Sequence, residues 1–165
     1  MAPQSPPAQA PLKVNAYAQI KGSADYPSIN GTVWFADVPG GMLIEAEVSG
    51  LPAYRPGSGN ASPVSPFGFH IHDGRQCGSP SASPSFETSG GHYNPTSQHH
   101  GNHAGDLPVL IPTNGYAFMA FFTGKMKSSD VIGKTVIIHE NPDDYRTDPA
   151  GNSGKTIACG EIMQA

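Results

Sequence analysis

Histidines carry the chemistry suggested by this sequence. There are seven, His70, His72, His92, His99, His100, His103 and His139, and six of them fall between positions 70 and 103. His70 and His72 stand two apart in the strand-like segment FGFHIH. Successive side chains on a strand point to opposite faces, so both imidazoles leave the same side. Their Cα atoms would be about 6–7 Å apart, which suits two nitrogens converging on one ion. Ile71 then points the other way, into a core. His100, His103 and Asp106 follow in HGNHAGD. Two imidazoles and a carboxylate need one further nitrogen to complete a tetrahedral zinc site. His92, in GGHYNP, can supply it. His139 ends the apolar run VIIH, as a core strand terminating in a ligand would. His99 receives no role and reads as a solvent-exposed side chain. Imidazole suits both copper and zinc, whereas a blue-copper centre needs a thiolate among its histidines. The two cysteines, Cys77 and Cys159, lie several residues away from the histidine motifs. Taken singly, each motif also has a plainer reading: a surface histidine pair, a polar loop, a structural histidine at a strand end.

The segments that must position these residues are strands. Lys13–Ile20 alternates apolar and polar residues, Gly31–Asp37 follows, and a VPGG turn leads into the clear alternation of Met42–Val48. Residues 52–66 are Pro- and Ser-rich loop. Phe67–His72 is a short strand. Regular patterning resumes at Tyr116–Thr123, Lys134–His139 and Thr156–Met163, with a second irregular loop at 140–155. Residues 73–104 are rich in Gly, Ser, Pro and His and almost lack core-forming residues. A loop of that length inside a compact domain needs something other than a hydrophobic core to order it. A metal ion and a disulfide would do so.

Composition agrees. A chain of 165 residues with 20 Gly, 17 Pro and only 13% charged residues fits one domain of short strands joined by turns and long loops. A formal charge of −4 argues against a nucleic-acid partner. No apolar run is long enough to span a bilayer as a helix, so no transmembrane segment is expected. Cys77 and Cys159 are either two free thiols or one bridge. A bridge would close a loop of about 80 residues, worth roughly 4 kcal/mol in the chain-entropy model, and would suit an oxidising compartment. Residues 1–12 (MAPQSPPAQAPL) lack a signal-peptide pattern and read as a flexible extended segment, preceding a domain over 13–165. A leader or lipid anchor upstream of residue 1 is compatible with such a tail.

Together the motifs GFHIHDGRQCG, GGHYNPTSQHHGNHAGDL, GKTVIIHENPDD and GNSGKTIACGEI, in this order, resemble the copper/zinc superoxide dismutase family in its bacterial-like form. The resemblance covers roughly residues 13–163. It implies an all-β fold, an eight-stranded antiparallel Greek-key barrel or sandwich with two long functional loops. It implies copper held by His70, His72, His92 and His139, and zinc held by His92, His100, His103 and Asp106, with His92 shared as a bridging imidazolate. Asp143 matches a residue that hydrogen-bonds one ligand of each metal, here His70 and His100. Cys77 and Cys159 match a disulfide within the subunit. The implied reaction disproportionates superoxide to oxygen and hydrogen peroxide as copper cycles between Cu(II) and Cu(I), with the His92 ring taking and returning a proton.

Two positions depart from the family pattern. Its arginine beside copper, which attracts the anionic substrate, falls on Thr156. Electrostatic focusing of that kind changes association rates by about 10 to 10³. Lys155 is adjacent but on a strand would face the other way, and Arg146 is another substitute. Only two residues separate His100 from His103, fewer than in the common animal form, a shortening that loop-closure entropy tolerates. Thr156 keeps open a second reading, a copper-binding or copper-delivery protein on the same scaffold with weak dismutase activity. A structural β-sandwich such as an adhesion module is a third, but it leaves the coincidence of ligand positions unexplained. The disulfide and the Pro-rich tail favour an extracellular or cell-envelope (periplasmic) location, with the cytoplasm as the alternative. A homodimer is compatible with the family.

Overall fold

The computed structural model describes residues 12–59 and 63–165. Most of the expected Pro/Ala-rich segment, residues 1–11, lies outside the described residues. Seven strands form one antiparallel sheet: β1 Ala16–Gly22, β2 Asn30–Val38, β3 Gly41–Ser49, β4 Phe69–His72, β5 Ala117–Thr123, β6 Thr135–His139 and β7 Thr156–Gln164. Their order across the sheet is β4-β6-β7-β1-β2-β3-β5. Each corresponds to a strand expected from alternation, with ends moved by a few residues. β1 starts at Ala16 rather than Lys13 because ladder pairing begins there, opposite Phe35 on β2 and Gln164 on β7.

The eighth strand of the expected barrel is present only as isolated bridges. Residues 105–110 run along the free edge of β4, where Phe67 and Leu110 exchange both main-chain hydrogen bonds at 3.0 and 2.9 Å. Leu107 N–H reaches the Phe69 carbonyl at 3.3 Å, and Ile71 N–H reaches the Gly105 carbonyl at 2.9 Å. Pro108 within this segment has no N–H to give, which keeps the ladder discontinuous. The same bridges set His70 opposite Asp106 and His72 opposite His92.

The sheet curls round a core of alternate residues. Ala16, Ala18 and Ile20 of β1, Ile44, Ala46 and Val48 of β3, Phe69 and Ile71 of β4, and Val136 and Ile138 of β6 are all essentially inaccessible. Ile71 therefore faces inward, as the HxH spacing requires, and His70 and His72 face outward. β6 is buried on both faces, because Ile137 packs on the outer side against Phe86 and Cys159. The Cys77–Cys159 disulfide is formed and ties the long loop to β7 across 82 positions of sequence. Two long loops thus cover the outer face of β4 and β6, and the histidines lie beneath them.

Candidate metal centre

Four imidazoles meet on that outer face. His70 and His72 project from β4, and His139 from the end of β6. His92 arrives from the long loop, which is docked by Tyr93 N–H on the Ile71 carbonyl at 2.8 Å. The His92 ring centroid lies 4.0 Å from that of His70 and 4.9 Å from that of His72. His139 lies 4.9 Å from His70 and 5.4 Å from His72.

The protein engages one nitrogen of each ring and leaves the other turned inward. His70 Nε2 donates to Asp143 Oδ2 at 2.7 Å. His72 Nδ1 donates to the Gly90 carbonyl at 2.7 Å and His139 Nδ1 to the Gly154 carbonyl at 3.2 Å. A neutral imidazole carries one proton, so these bonds place lone pairs on His72 Nε2 and His139 Nε2. Those two atoms stand 3.3 Å apart. Two lone pairs facing each other at that distance do not make a hydrogen bond; the arrangement suits a cation shared between them. His70 Nδ1 and His92 Nε2 are buried with no partner, completing the set. The four nitrogens all lie within 4.8 Å of one another.

A second set forms on the other side of the His92 ring. His92 Nδ1 is 2.8 Å from Asp106 Oδ1, and His103 Nδ1 is 3.2 Å from the same oxygen. His100 Nδ1 is 3.4 Å from Asp106 Oδ2. The outer nitrogens are again anchored, His100 Nε2 to Asp143 Oδ1 at 2.7 Å and His103 Nε2 to the Gln98 carbonyl at 3.1 Å. Asp106 Oδ2 accepts the main-chain N–H groups of Gly101 and His103, which fixes the turn between the two histidines. Three nitrogens and one carboxylate oxygen are a zinc donor set, and the two-residue spacing still closes it. His100 Nδ1 and His103 Nδ1 are buried and unpartnered, as metal-facing atoms would be.

Asp143 joins the two sets. Its carboxylate accepts from His70, His100 and the Tyr145 N–H, the last at 2.7 Å. His70, His100 and Asp143 also cluster closely enough to hold an ion, but both carboxylate oxygens already take ring N–H groups. We read this trio as a hydrogen-bonded support that orients one ring on each side. Tyr145 pins the loop by accepting the Val109 N–H and donating to the Leu107 carbonyl.

Electrostatics favour metal-ready ligands. Burial lowers the pKa of His72 to about 3, with the neighbouring His92 adding to the effect. Burial likewise pushes His139 well below the ordinary imidazole range and lowers His70, although Asp143 opposes the shift at His70. Burial alone would raise Asp106, but the His92 hydrogen bond and the adjacent His100 and His103 outweigh it and hold it at about 2. Neutral imidazoles and an ionised carboxylate are the states that bind cations.

The eight ligand-set and support residues expected from sequence are all brought together here. His99 is not among them: its side chain is 91% exposed and its Nδ1 bonds Asp148. Thr156 pairs across the β6–β7 ladder with His139. Thr156 is the first residue of β7 and Lys155 precedes the strand; both line a cavity of about 330 Å³ with Asp25, Tyr26 and the 82–85 segment. Sequence reasoning missed the Gly90 and Gly154 carbonyls, which set two tautomers. It also missed Gly151, where a Cβ would overlap Asp143 Oδ1 and press on His100 Nε2. The available signal was glycine clustering beside the motifs, in SGGH and AGNSGK.

Known proteins place the chain among relatives of one kind. A family model described as copper/zinc superoxide dismutase (SODC) matches residues 29–162. A Cu-Zn superoxide dismutase of Deinococcus radiodurans is 34% identical over 154 residues, covering 83% of this chain and 78% of the relative. One from Legionella pneumophila is 35% identical over 153 residues, covering 88% and 85%. The solved Cu/Zn superoxide dismutase from Brucella abortus superposes with a TM-score of 0.70 over 88% of this chain and 98% of that one; at 24% identity it speaks to the fold.

Proposed function

Since the chain belongs to the copper/zinc superoxide dismutase family, we propose that it disproportionates superoxide at a copper held by His70 Nδ1, His72 Nε2, His92 Nε2 and His139 Nε2. Zinc would be held by the Nδ1 atoms of His92, His100 and His103 and by Asp106. One observation carries this reading: a single ring, His92, turns one nitrogen to each of two donor sets, and His70 Nδ1, His92 Nε2, His100 Nδ1 and His103 Nδ1 are buried there without a hydrogen-bond partner. When bound, copper supplies one-electron exchange, so that two superoxide ions and two protons become oxygen and hydrogen peroxide, while zinc stays divalent.

The chain's own groups do the rest. The Gly90 and Gly154 carbonyls hold His72 and His139 in the tautomer that leaves Nε2 free, and Asp143 does the converse for His70 Nδ1. His92 Nε2 is the site for a proton taken and returned during turnover, because its Nδ1 is committed to the zinc side. A cation bound at Nδ1 acidifies the ring and makes that exchange accessible near neutral pH. Thr156 contributes no positive charge to draw the substrate in.

A copper-delivery role is less well supported, since His70, His72 and His139 are at most 5% exposed and offer a partner little access. A superoxide-decay assay on protein reconstituted with copper and zinc separates the readings. The reconstituted chain should accelerate decay and its His70→Ala variant should not; a rate equal to that of buffer alone removes the enzyme. The disulfide supports an extracellular or cell-envelope location, tested by cell fractionation with thiol trapping. A homodimer would find an apolar surface at the exposed Tyr116, Phe118 and Phe122 beside and on β5, and sedimentation would decide it.

A further inference from the structure

His99 is the one histidine that the metal sets do not absorb, and its partner Asp148 touches more than His99. Asp148 Oδ2 accepts from His99 Nδ1 at 2.7 Å, and Asp148 Oδ1 accepts the main-chain N–H of His100 at 2.7 Å. His100 is therefore gripped twice by one loop: Asp143 holds its ring at Nε2 and Asp148 holds its backbone. With both ends fixed, His100 Nδ1 has one direction left to face. The loop that presents Asp148 is itself tied down. Asp144 accepts the N–H groups of Arg146 and Thr147, the Thr147 hydroxyl and the Asn152 amide, and the Gly151 N–H donates to the Thr147 carbonyl at 2.7 Å. On the copper side, the anchors of His72 and His139 are Gly90 and Gly154, and that of His70 is Asp143; none is Asp148.

We propose that Asp148 is a positioning residue for the zinc half of the centre, with His99 as the strut that holds its carboxylate in place. Its contribution is confined to the zinc side and leaves copper binding intact. This rests on His100 being a zinc ligand. A merely structural contact would loosen both metals together or neither.

The test measures zinc affinity by chelator competition and cupric affinity in parallel, on the full chain and four variants, with metal-free melting as a folding control. Asp148→Ala should weaken zinc by about 10- to 100-fold, the range for residues that orient a ligand, with copper affinity unchanged. Asp148→Asn keeps an acceptor for the His100 N–H and should recover most of the loss. His99→Ala should weaken zinc by about two- to fivefold, as loss of an exposed side-chain contact of this kind implies; it carries the test alone if Asp148→Ala does not fold. Unchanged zinc affinity in Asp148→Ala, or in His99→Ala where that variant stands alone, overturns the proposal. So does an equal loss of both metals, or an Asn variant as weak as the Ala variant. His103→Ala serves as the reference: if it binds zinc as tightly as the parent, the zinc-site assignment itself has failed rather than the role of Asp148.

Discussion

Replacing Asp143 with alanine should weaken both metals at once. The carboxylate is buried and accepts two ring N–H bonds of 2.7 Å, one from a ligand on each side. Hydrogen bonds to a charged group contribute about 1.5–3 kcal/mol each, and loss of a residue that orients a ligand costs about 10- to 100-fold in affinity, or roughly 1.4–2.7 kcal/mol per metal. Without Asp143 the rings of His70 and His100 are free to rotate or change tautomer, so each presents Nδ1 only part of the time. The Tyr145 N–H also loses its acceptor, so the metal-free protein should melt at a lower temperature. Asparagine is not a rescue here. Its amide oxygen can accept from one ring, but its NH₂ then faces the N–H of the other, so one metal should suffer more than the other. Asp37→Ala is the control: its carboxylate bonds Ser128 and none of the histidines, so it should cost stability without changing metal affinity. Chelator competition for zinc and for copper reads the outcome. Parental affinity for both metals in Asp143→Ala would refute the idea that this carboxylate orients the two half-sites.

Gly151→Ala should mimic part of that loss, weakening zinc in the same competition assay, because the new methyl group collides with Asp143 and His100 at a φ of 62°; unchanged zinc affinity would show the loop can shift without consequence. Thr156→Arg places a cation opposite His139 and should raise the superoxide-decay rate at low ionic strength by about tenfold or more, the gain shrinking with salt; no change would mean substrate guidance does not limit the rate. The metal-free protein should lose stability on acidification. Burial lowers His72 from 6.5 to about 3 and lowers His139 and His70 too, so between those values the unfolded chain binds more protons than the folded one, and stability falls as pH drops through that window. Calorimetry across it should show a falling melting temperature, and a flat profile would contradict the burial argument.

The clustering of the HIH and HGNHAGD side chains was legible because its constraint is local: HIH puts two rings on one strand face, and HGNHAGD puts two rings and a carboxylate on one turn, while the full sets, with His92 and His139, came only through the family resemblance. The seven strands were legible for a similar reason, since alternation at Ala16–Gly22 or Gly41–Ser49 follows directly from one buried face. The eighth was not visible, because residues 105–110 pair through scattered bridges around Pro108 and the inward-facing Asp106, and so carry no clean period. The supports escaped for another reason. Gly90 and Gly154 act through carbonyls, and every residue has a carbonyl. Asp148 works on a backbone N–H 48 positions away, and no spacing rule connects them.

The shared ring is the claim on which the rest depends, and anomalous diffraction at the copper and zinc edges from crystals loaded with both metals tests it directly. Two peaks should appear, copper beside His92 Nε2 and zinc within about 2.0–2.1 Å of His92 Nδ1. A single peak at His92, or two metals neither of which shares that ring, would contradict it.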